Sequence, residues 1–262
     1  MGIYYGSSEL TSNPYFGSSL ISKVYKGSTL VDDFSPTDPN FSDVSLLLHF
    51  DGTDGSTTFT DESNNGYTPT VNGDTQISTT EYKFGGASSY LDGAGDYLQY
   101  TGTSELALGA GDFTVEFWFN LSSATGQGSG GEQGILGCNT VLESRWTVRL
   151  QGTSTKLMSW WLNTPGNNTV GTTAIQFDTW YHVALVRSGS GTNNMKLYLD
   201  GVLESQNTNT YTVPVNDIVL GRTYTNLNSE YFNGYIDDLR ITKGVARYTA
   251  NFTPPTAAFP NS

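Results

Sequence analysis

The chain has 262 residues and a formal net charge of −13, with 12 Lys plus Arg against 25 Asp plus Glu. Because nucleic-acid binding depends on clustered cations that displace counterions, this balance excludes nucleic acid as a partner. The single cysteine, Cys138, excludes an intrachain disulfide and a cysteine-based metal cluster. Thirty glycines and 13% aromatic residues are typical of an all-β fold with many turns.

Residues 1–43 differ from the rest of the chain. A short degenerate repeat, in which glycine and serine precede apolar residues, begins at Gly6, Gly17 and Gly27 and predicts three turn-then-strand units. This segment has too few apolar residues for its own core, so we expect it to need a partner surface. Its predicted anchoring residues are Tyr4, Tyr5, Tyr15, Phe16 and Tyr25.

Strand patterns recur from Val44 to Arg247, which we interpret as one domain, 44–247. Residues 45–50 form a nearly continuous apolar run, which suits a strand covered on both sides. Residues 113–119 alternate, with aromatic and valine side chains on one face and Thr, Glu and Trp on the other. The Asp200-Gly201 pair between two apolar runs predicts a hairpin with a type I′ turn.

The last predicted strand, 232–241, carries two carboxylates, Asp237 and Asp238, where β-propensity disfavours them. Strict alternation sends these two side chains to opposite faces of the strand, which argues against joint hydrolysis by the pair. It also divides the apolar residues, with Phe232 and Ile236 on one face and Leu239 and Ile241 on the other.

Residues 248–262 form a tail that cannot be a central strand, because Pro254 and Pro255 lack amide donors. We expect this tail to lie extended against a surface through Tyr248, Phe252 and Phe259.

Short segments of the 44–247 region follow one another in an order shared with a known family. They are residues 49–52, 61–65, 90–98, 113–119, 180–184, 197–202, 220–222 and 232–241. In order and spacing they resemble laminin-G-like, concanavalin A-like jelly-roll modules. The resemblance implies an all-β, two-sheet antiparallel sandwich, a shape that manages its sheet edges by wrapping. It also implies a binding or structural module, and several members bind calcium.

The N-terminal repeat and residues 244–248 and 252–255 are similar to tailed-bacteriophage virion proteins that carry this module. This implies a virion structural protein, in capsid decoration or in the tail, with other virion proteins as partners and a homo-oligomeric state. Residues 1–20 lack a secretory signal pattern, and no apolar stretch of roughly 18 residues predicts a membrane span. Synthesis in the host cytoplasm and display on the virion surface agree with this pattern.

The sequence gives little support for an enzyme. His49 and His182 are the two imidazoles, and His182 lies in an apolar strand where packing explains it. Glycosidases on related jelly rolls use carboxylates that alternate along one strand and flank one bond about 5–5.5 Å apart. Glu116 has no such neighbour along its strand. We therefore expect a non-enzymatic protein.

A structural calcium ion is one interpretation of the acidic turn at Asp61. Asp61 and Asn64 can supply two oxygens from one turn, and the family resemblance implies that an Asp of the closing strand, here Asp237, completes the site. The alternative is that Asp61 and Asn64 form an Asx turn and that Asp237 accepts backbone amides. Both interpretations remain open at this stage.

Host-surface glycans are the other partner that the sequence suggests. Trp160 and Trp161 are adjacent, so their side chains lie on opposite faces of a strand and one of them is available for sugar stacking. Cover by the N-terminal segment or by a neighbouring subunit is the competing explanation. The rival function is thus a glycan-binding tail or fibre module for host attachment.

Overall fold

A computed structural model of the chain describes residues 15–16, 19–20, 23–26, 29–33, 36–123, 131–138, 146–152, 156–161, 168–225 and 228–262. At 15–33, 158–161, 224–225 and 228–229 the description covers the main chain alone. Within these ranges the regular structure is strand, apart from one 3-10 turn at Phe41–Asp43. No helix among the described residues has the length and apolar character to span a bilayer.

The described strands are β1 (Tyr15–Phe16), β2 (Ser19–Leu20), β3 (Lys23–Lys26), β4 (Thr29–Asp33), β5 (Val44–Leu48), β6 (Thr70–Asn72), β7 (Gln76–Ser78), β8 (Ser88–Asp92), β9 (Tyr97–Tyr100), β10 (Phe113–Leu121), β11 (Gln133–Cys138), β12 (Trp146–Gln151), β13 (Lys156–Trp161), β14 (Thr169–Ala174), β15 (Trp180–Arg187), β16 (Met195–Leu199), β17 (Val202–Asn207), β18 (Ile218–Leu220), β19 (Arg222–Thr225), β20 (Asn228–Tyr231) and β21 (Asn233–Lys243).

Two antiparallel sheets form the body of the fold, as predicted. The first sheet has the order β17-β16-β15-β10-β21-β8-β7, and β5 pairs with the later half of β21. The second sheet has the order β14-β13-β12-β11-β18-β9-β6. Before the sandwich, β1 pairs with β2 across Gly17 and β3 pairs with β4 across Gly27. The third predicted unit, at Gly6, lies outside the described residues.

The hydrophobic core lies between the two sheets. The alternating pattern of β10 correctly predicted which side chains of that strand face the core. β5 is buried along its whole length, which also agrees with its continuous apolar run. The inner residues of β10 and β12 belong to one buried cluster: Phe113, Val115, Phe117, Phe119, Trp146, Val148 and Leu150.

The predicted hairpin at Asp200-Gly201 joins β16 and β17. Both residues have positive φ, 46° for Asp200 and 75° for Gly201, as a type I′ turn requires. The amide of Phe252 in the tail donates to the Gly201 carbonyl at 2.9 Å. A side chain at Gly201 would collide with the Phe252 carbonyl, so this glycine also permits the tail to pack there.

A β-bulge in β21 overturns the predicted alternation of that strand. Glu116 pairs with Arg240 and Trp118 pairs with Asp237, so two residues of β21 lie opposite one residue of β10. Asp238 occupies the bulge with φ 46°. The extra residue reverses the phase of the strand, and the predicted division of its apolar residues is therefore wrong. One core cluster contains all four of them, Phe232, Ile236, Leu239 and Ile241.

The outer face of the first sheet contains a fully buried carboxylate, Glu116. Arg240 donates to Glu116 Oε1 from Nε and Nη2 at 3.0 and 2.8 Å, and the Tyr248 hydroxyl donates to Oε2 at 2.7 Å. His182 Nε2 lies 3.4 Å from Oε2. Burial alone would raise the pKa of Glu116, but the contacts with His182, Arg240 and Tyr248 outweigh burial and lower it to about 2.

Asp38 extends this ion pair to the chain that precedes the sandwich. Arg240 Nη1 donates to Asp38 Oδ2 at 3.0 Å, and Arg247 donates to Asp38 Oδ1 and Oδ2 at 3.0 and 2.6 Å. The Asp38 amide in turn donates to the Ser262 carbonyl at 2.8 Å. The segment before β5 and the end of the tail therefore meet on one face of the first sheet.

The tail packs on this outer face through the three aromatic residues that the sequence predicted. The Tyr248 and Phe252 rings stack with centroids 3.6 Å apart and an interplanar angle of 8°. Phe252 also packs edge-on against Tyr198. The Phe259 ring centroid lies 3.9 Å from the Arg240 guanidinium carbon, a cation–π contact.

Glu204 joins the end strands of the two sheets, β17 and β14. Its carboxylate accepts the amides of Thr172 and Thr173 at 2.5 and 2.9 Å, and both threonine hydroxyls donate to it as well. The amides of Thr172 and Thr173 on this edge are thereby satisfied.

The substitution Glu116→Gln should lower the free energy of unfolding by about 1.5–3 kcal/mol, because the buried Arg240 loses one of its two carboxylate partners and keeps only Asp38. Urea unfolding at pH 7 measures the change. The exposed Glu105→Gln is the matched control, and we expect it to leave the stability essentially unchanged. Equal effects of the two substitutions would show that the buried pair contributes nothing.

Candidate functional site

The predicted calcium ligand Asp61 is buried, and its carboxylate is engaged by its own turn. Oδ1 accepts the amides of Leu47 and Ser63 at 3.0 and 2.9 Å. Oδ2 accepts the Tyr67 amide and the Ser63 hydroxyl, both at 2.9 Å. Asn64, the second predicted ligand, is exposed to solvent. The contact with the Ser63 amide is the Asx turn of the alternative interpretation for Asp61, in which Asn64 takes no part.

The third predicted ligand, Asp237, accepts backbone amides on one oxygen. Its Oδ2 receives the amides of Lys83 and Phe84 at 2.7 and 3.0 Å, whereas its buried Oδ1 has no hydrogen-bond partner in the described structure. Across the described ranges, no group of three or more His, Cys, Asp or Glu side chains is arranged to hold a metal ion. The calcium site stays a prediction.

Asp237 and Asp238 do not face opposite sides of the sheet, and that prediction is wrong. Asp238 accepts a 2.6 Å hydrogen bond from His49 Nδ1 and the Phe259 amide at 3.0 Å, on the outer side where the tail packs. The bulge turns Asp238 to this side. Burial lowers the pKa of His49, but its hydrogen bond to Asp238 and the Asp238 charge outweigh burial, and the pKa rises.

Burial is also the largest influence on Asp237. It raises the pKa of this carboxyl to about 7, and repulsion by Asp238 adds to the rise, while the two amide hydrogen bonds oppose it.

Other predicted site residues lie where the structure gives no side chain. In β13, Trp160 pairs with Thr147 and Trp161 with Trp146, but both indoles are outside the described residues. The same holds for the predicted anchoring residues: Tyr15, Phe16 and Tyr25 lie in strands whose side chains are not described, and Tyr4 and Tyr5 precede the described part. Sugar stacking and anchoring by these residues stay predictions.

A set of residues that the sequence analysis did not select lies together on the outer face of the first sheet. Register pairs Trp180 with Asn120, Asn120 with Tyr235, and Tyr235 with Tyr90. We call Trp180, Asn120, Tyr235 and Tyr90 the outer row. Alternation along β10 gives the only local signal, since it places Asn120 on the same face as Trp118; the partners come from distant strands.

The outer row presents three half-buried aromatic rings around a buried amide. The Tyr90 and Tyr235 rings lie 5.1 Å apart at 41°. Asn120 is 2% exposed, and its Oδ1 accepts no hydrogen bond from the described residues. A side chain at Gly234 would collide with the Asn120 carbonyl, so glycine is needed for β21 to pass this close.

The pKa of the Tyr235 hydroxyl is raised by burial first, and then by the neighbouring Tyr90, Glu81 and Asp178. Glu81 and Asp178 are both exposed to solvent. The outer row itself combines three aromatic rings and one amide.

Asp237 positions the loop 79–87, which borders the outer row. Its two amide hydrogen bonds hold Lys83 and Phe84 over the sheet, and Lys83 Nζ lies 3.8 Å from the Trp118 ring centroid. The Ser88 hydroxyl fixes the other side of the loop by donating to the Glu81 carbonyl at 2.6 Å.

The substitution Asp237→Asn should stabilise the protein increasingly as pH rises. The folded pKa of about 7 exceeds the ordinary 3.8, so the wild type loses stability between about pH 4 and pH 7, where the unfolded chain releases this proton first. An asparagine keeps an acceptor for the two amides and carries no charge. We expect a relative gain of roughly 2–4 kcal/mol by pH 8. Thermal unfolding of both proteins from pH 4 to 8 measures it, and a pH-independent difference would contradict the assignment.

If calcium occupies the Asp61 turn, removal of the ion should lower the melting temperature. Differential scanning fluorimetry with and without chelator, followed by calcium titration back, measures this. An unchanged melting temperature under all three conditions would exclude a structural ion.

Comparison with known proteins agrees with the two-sheet architecture. The family described as the concanavalin A-like lectin/glucanases superfamily, a laminin G-type domain, matches residues 92–247. A comparison with curated proteins gave no match.

Solved structures of similar fold share little sequence with the chain. Domain 4 of AbnA, a GH43 extracellular arabinanase from Geobacillus stearothermophilus solved with arabinotriose, has a TM-score of 0.57 and 20% identity, and the match covers 78% of this chain and 93% of that one. The binding domain of botulinum neurotoxin DC with sialylT gives 0.54 and 15%, covering 77% and 48%. The binding domain of Paraclostridial mosquitocidal protein 1 gives 0.58 and 14%, covering 78% and 49%.

The chain spans about half the length of the toxin binding domains, and at these identities the likeness shows the fold alone. The family match, in contrast, extends over more than half of the chain. The chain therefore belongs to the concanavalin A-like lectin/glucanase superfamily, as a laminin G-type module.

Proposed function

We propose that the chain is a non-enzymatic structural protein of a tailed-bacteriophage particle, in capsid decoration or in the tail, which displays its laminin G-type module on the particle surface. The observation that carries this proposal is the N-terminal repeat, which is similar to virion proteins; the contact between Asp38 and Ser262 shows where this segment joins the first sheet. The N-terminal segment leaves the module beside the Glu116 position, about 13 Å along β10 from Asn120. The outer row lies on the same face of this sheet, beyond the part that the tail covers.

The N-terminal hairpins support attachment to another protein. β1–β2 and β3–β4 are two-stranded, and an isolated two-stranded hairpin is marginally stable in water. A partner surface supplies the burial that such hairpins lack. The sequence similarity of the repeat to virion proteins names the kind of partner, and copies of the chain would assemble as a homo-oligomer on it.

The state of Glu116 supports the absence of catalysis. A catalytic carboxylate must reach its substrate, whereas Glu116 is enclosed by Arg240, His182 and Tyr248 under the tail. Release of reducing sugars from host polysaccharide by the wild-type chain, lost in a folded Glu116→Gln variant, would overturn this part of the proposal.

A second candidate function is glycan binding by a tail or fibre module during host attachment. The outer row favours it, because partly exposed aromatic rings beside polar groups suit sugar surfaces. Two structures of similar fold were solved with arabinotriose and with sialylT, which supports the same candidate.

Deletion of residues 1–35 should remove the protein from purified particles while leaving the module folded. The deletion ends before Asp38, so the ion pairs with Arg240 and Arg247 are kept. Mass spectrometry of virions measures incorporation, and circular dichroism of the isolated protein checks the fold.

A second variant of full length, with Tyr15, Phe16 and Tyr25 changed to serine, tests the predicted anchoring residues separately. Incorporation of both variants at the wild-type level would refute anchoring by this segment.

A further inference from the structure

We propose that the outer row binds a neutral oligosaccharide, with sugar rings stacked on Trp180 and on the Tyr90–Tyr235 pair and a sugar hydroxyl hydrogen-bonded to Asn120. This inference rests on the glycan-binding candidate above and gives it a location and a ligand class.

In the described part of the chain, the tail and the loop 79–87 cover this sheet face beside the outer row. The tail covers the neighbouring region, where Phe252 lies edge-on to His182 with centroids 5.7 Å apart. Lys83 and Phe84 cover Trp118, which is 4% exposed. Asn120 is the next residue of β10 on this face after Trp118. The aromatic residues in register with it, Trp180, Tyr235 and Tyr90, keep part of their surface in solvent.

The dimensions of the row suit several linked sugar rings. Trp180 and Tyr90 lie three strand positions apart in the sheet, which corresponds to about 14 Å at the usual strand separation. Aromatic faces at both ends of this distance offer stacking surfaces for the C–H faces of sugars, as such rings do for other apolar groups.

Asn120 supplies an independent indication of a polar ligand. It lies between Trp180 and Tyr235, and its Oδ1 has no hydrogen-bond partner among the described residues. A buried acceptor without a partner costs about 1–3 kcal/mol, so a donor from a bound molecule or from water is expected there. A sugar hydroxyl is such a donor, and it reaches Oδ1 when the side chains around Asn120 move, because this atom is closed to solvent as it stands.

The charges around the row favour an uncharged ligand. The charges of Glu81 and Asp178 act on the Tyr235 hydroxyl, whereas Lys83, the cation that borders the row, has its Nζ over the Trp118 ring; the chain has a net charge of −13. Carboxylates accept hydrogen bonds from hydroxyl groups and repel carboxylate, sulfate or phosphate substituents. Neutral glycans therefore fit better than sialylated, sulfated or phosphorylated ones.

A glycan microarray that carries neutral, sialylated and sulfated oligosaccharides tests the proposal with the full-length chain. We expect binding to neutral glycans, and calorimetry with the best neutral oligosaccharide should give an affinity that changes less than twofold between low and high salt, because no ion pair is formed. Tyr235→Ala and Trp180→Ala should each weaken binding by roughly tenfold or more, since each removes a stacking surface. Asn120→Ala should weaken it as well.

Tyr97→Ala is the matched control. Tyr97 is also a half-buried tyrosine beside another tyrosine, Tyr231, with ring centroids 6.5 Å apart, but it lies on β9 in the second sheet. Its substitution should leave the affinity unchanged. Melting temperatures of all variants show whether each one is folded.

The outcomes separate the site from the function. Neutral-glycan binding that Tyr235→Ala and Trp180→Ala reduce and Tyr97→Ala does not supports the proposal. Binding that survives both outer-row substitutions, or that only Tyr97→Ala reduces, overturns the site and leaves glycan binding in place. Preference for acidic glycans overturns the ligand class. No binding to any glycan overturns the glycan-binding candidate itself.

Discussion

The buried ion pair between Glu116 and Arg240 connects the parts of this structure that the core alone does not hold. It joins the two central strands of the first sheet, and Arg240 continues to Asp38 while Tyr248 reaches Glu116 from the tail. Burial of two charges is unfavourable unless they pair with each other and their remaining oxygens and N–H groups find hydrogen-bond partners. The segment before β5 and the tail must both be in place for these partners to be complete, so the outer layer is part of the fold.

The bulge at Asp238 is what allows one strand to serve both the core and this polar layer. The extra residue places Arg240 opposite Glu116 on the outer face. It also lets Leu239 and Ile241 face the core. The bulge also leaves Asp237 beside Trp118, where it holds the loop 79–87 next to the outer row. One inserted residue thus determines the register of the polar layer and, through Asp237, the border of the candidate binding surface.

Local patterns in the sequence were sufficient for much of the fold and for little of the site. Alternation in β10, the Asp200-Gly201 turn and the aromatic residues of the tail each depend on neighbouring residues, and each prediction was confirmed. The bulge has no comparable local signal. Asp238 adopts a positive φ, but Asp occurs at negative φ as well, so its residue type does not predict a bulge. The outer row takes its residues from strands far apart in sequence, so register alone brings them together. Asp61 accepts amides in this structure, but its residue type alone does not distinguish an amide acceptor from a metal ligand, and the calcium site stays a prediction.

The contact between Glu204 and the amides of Thr172 and Thr173 has a consequence for molecules held close together. An end strand with free amides is a template for pairing with the same strand of another molecule, and such pairing leads to aggregation. Here the Glu204 carboxylate occupies these donors and adds negative charge to the edge. Many copies crowded on one surface would therefore repel at this edge instead of extending each other's sheets.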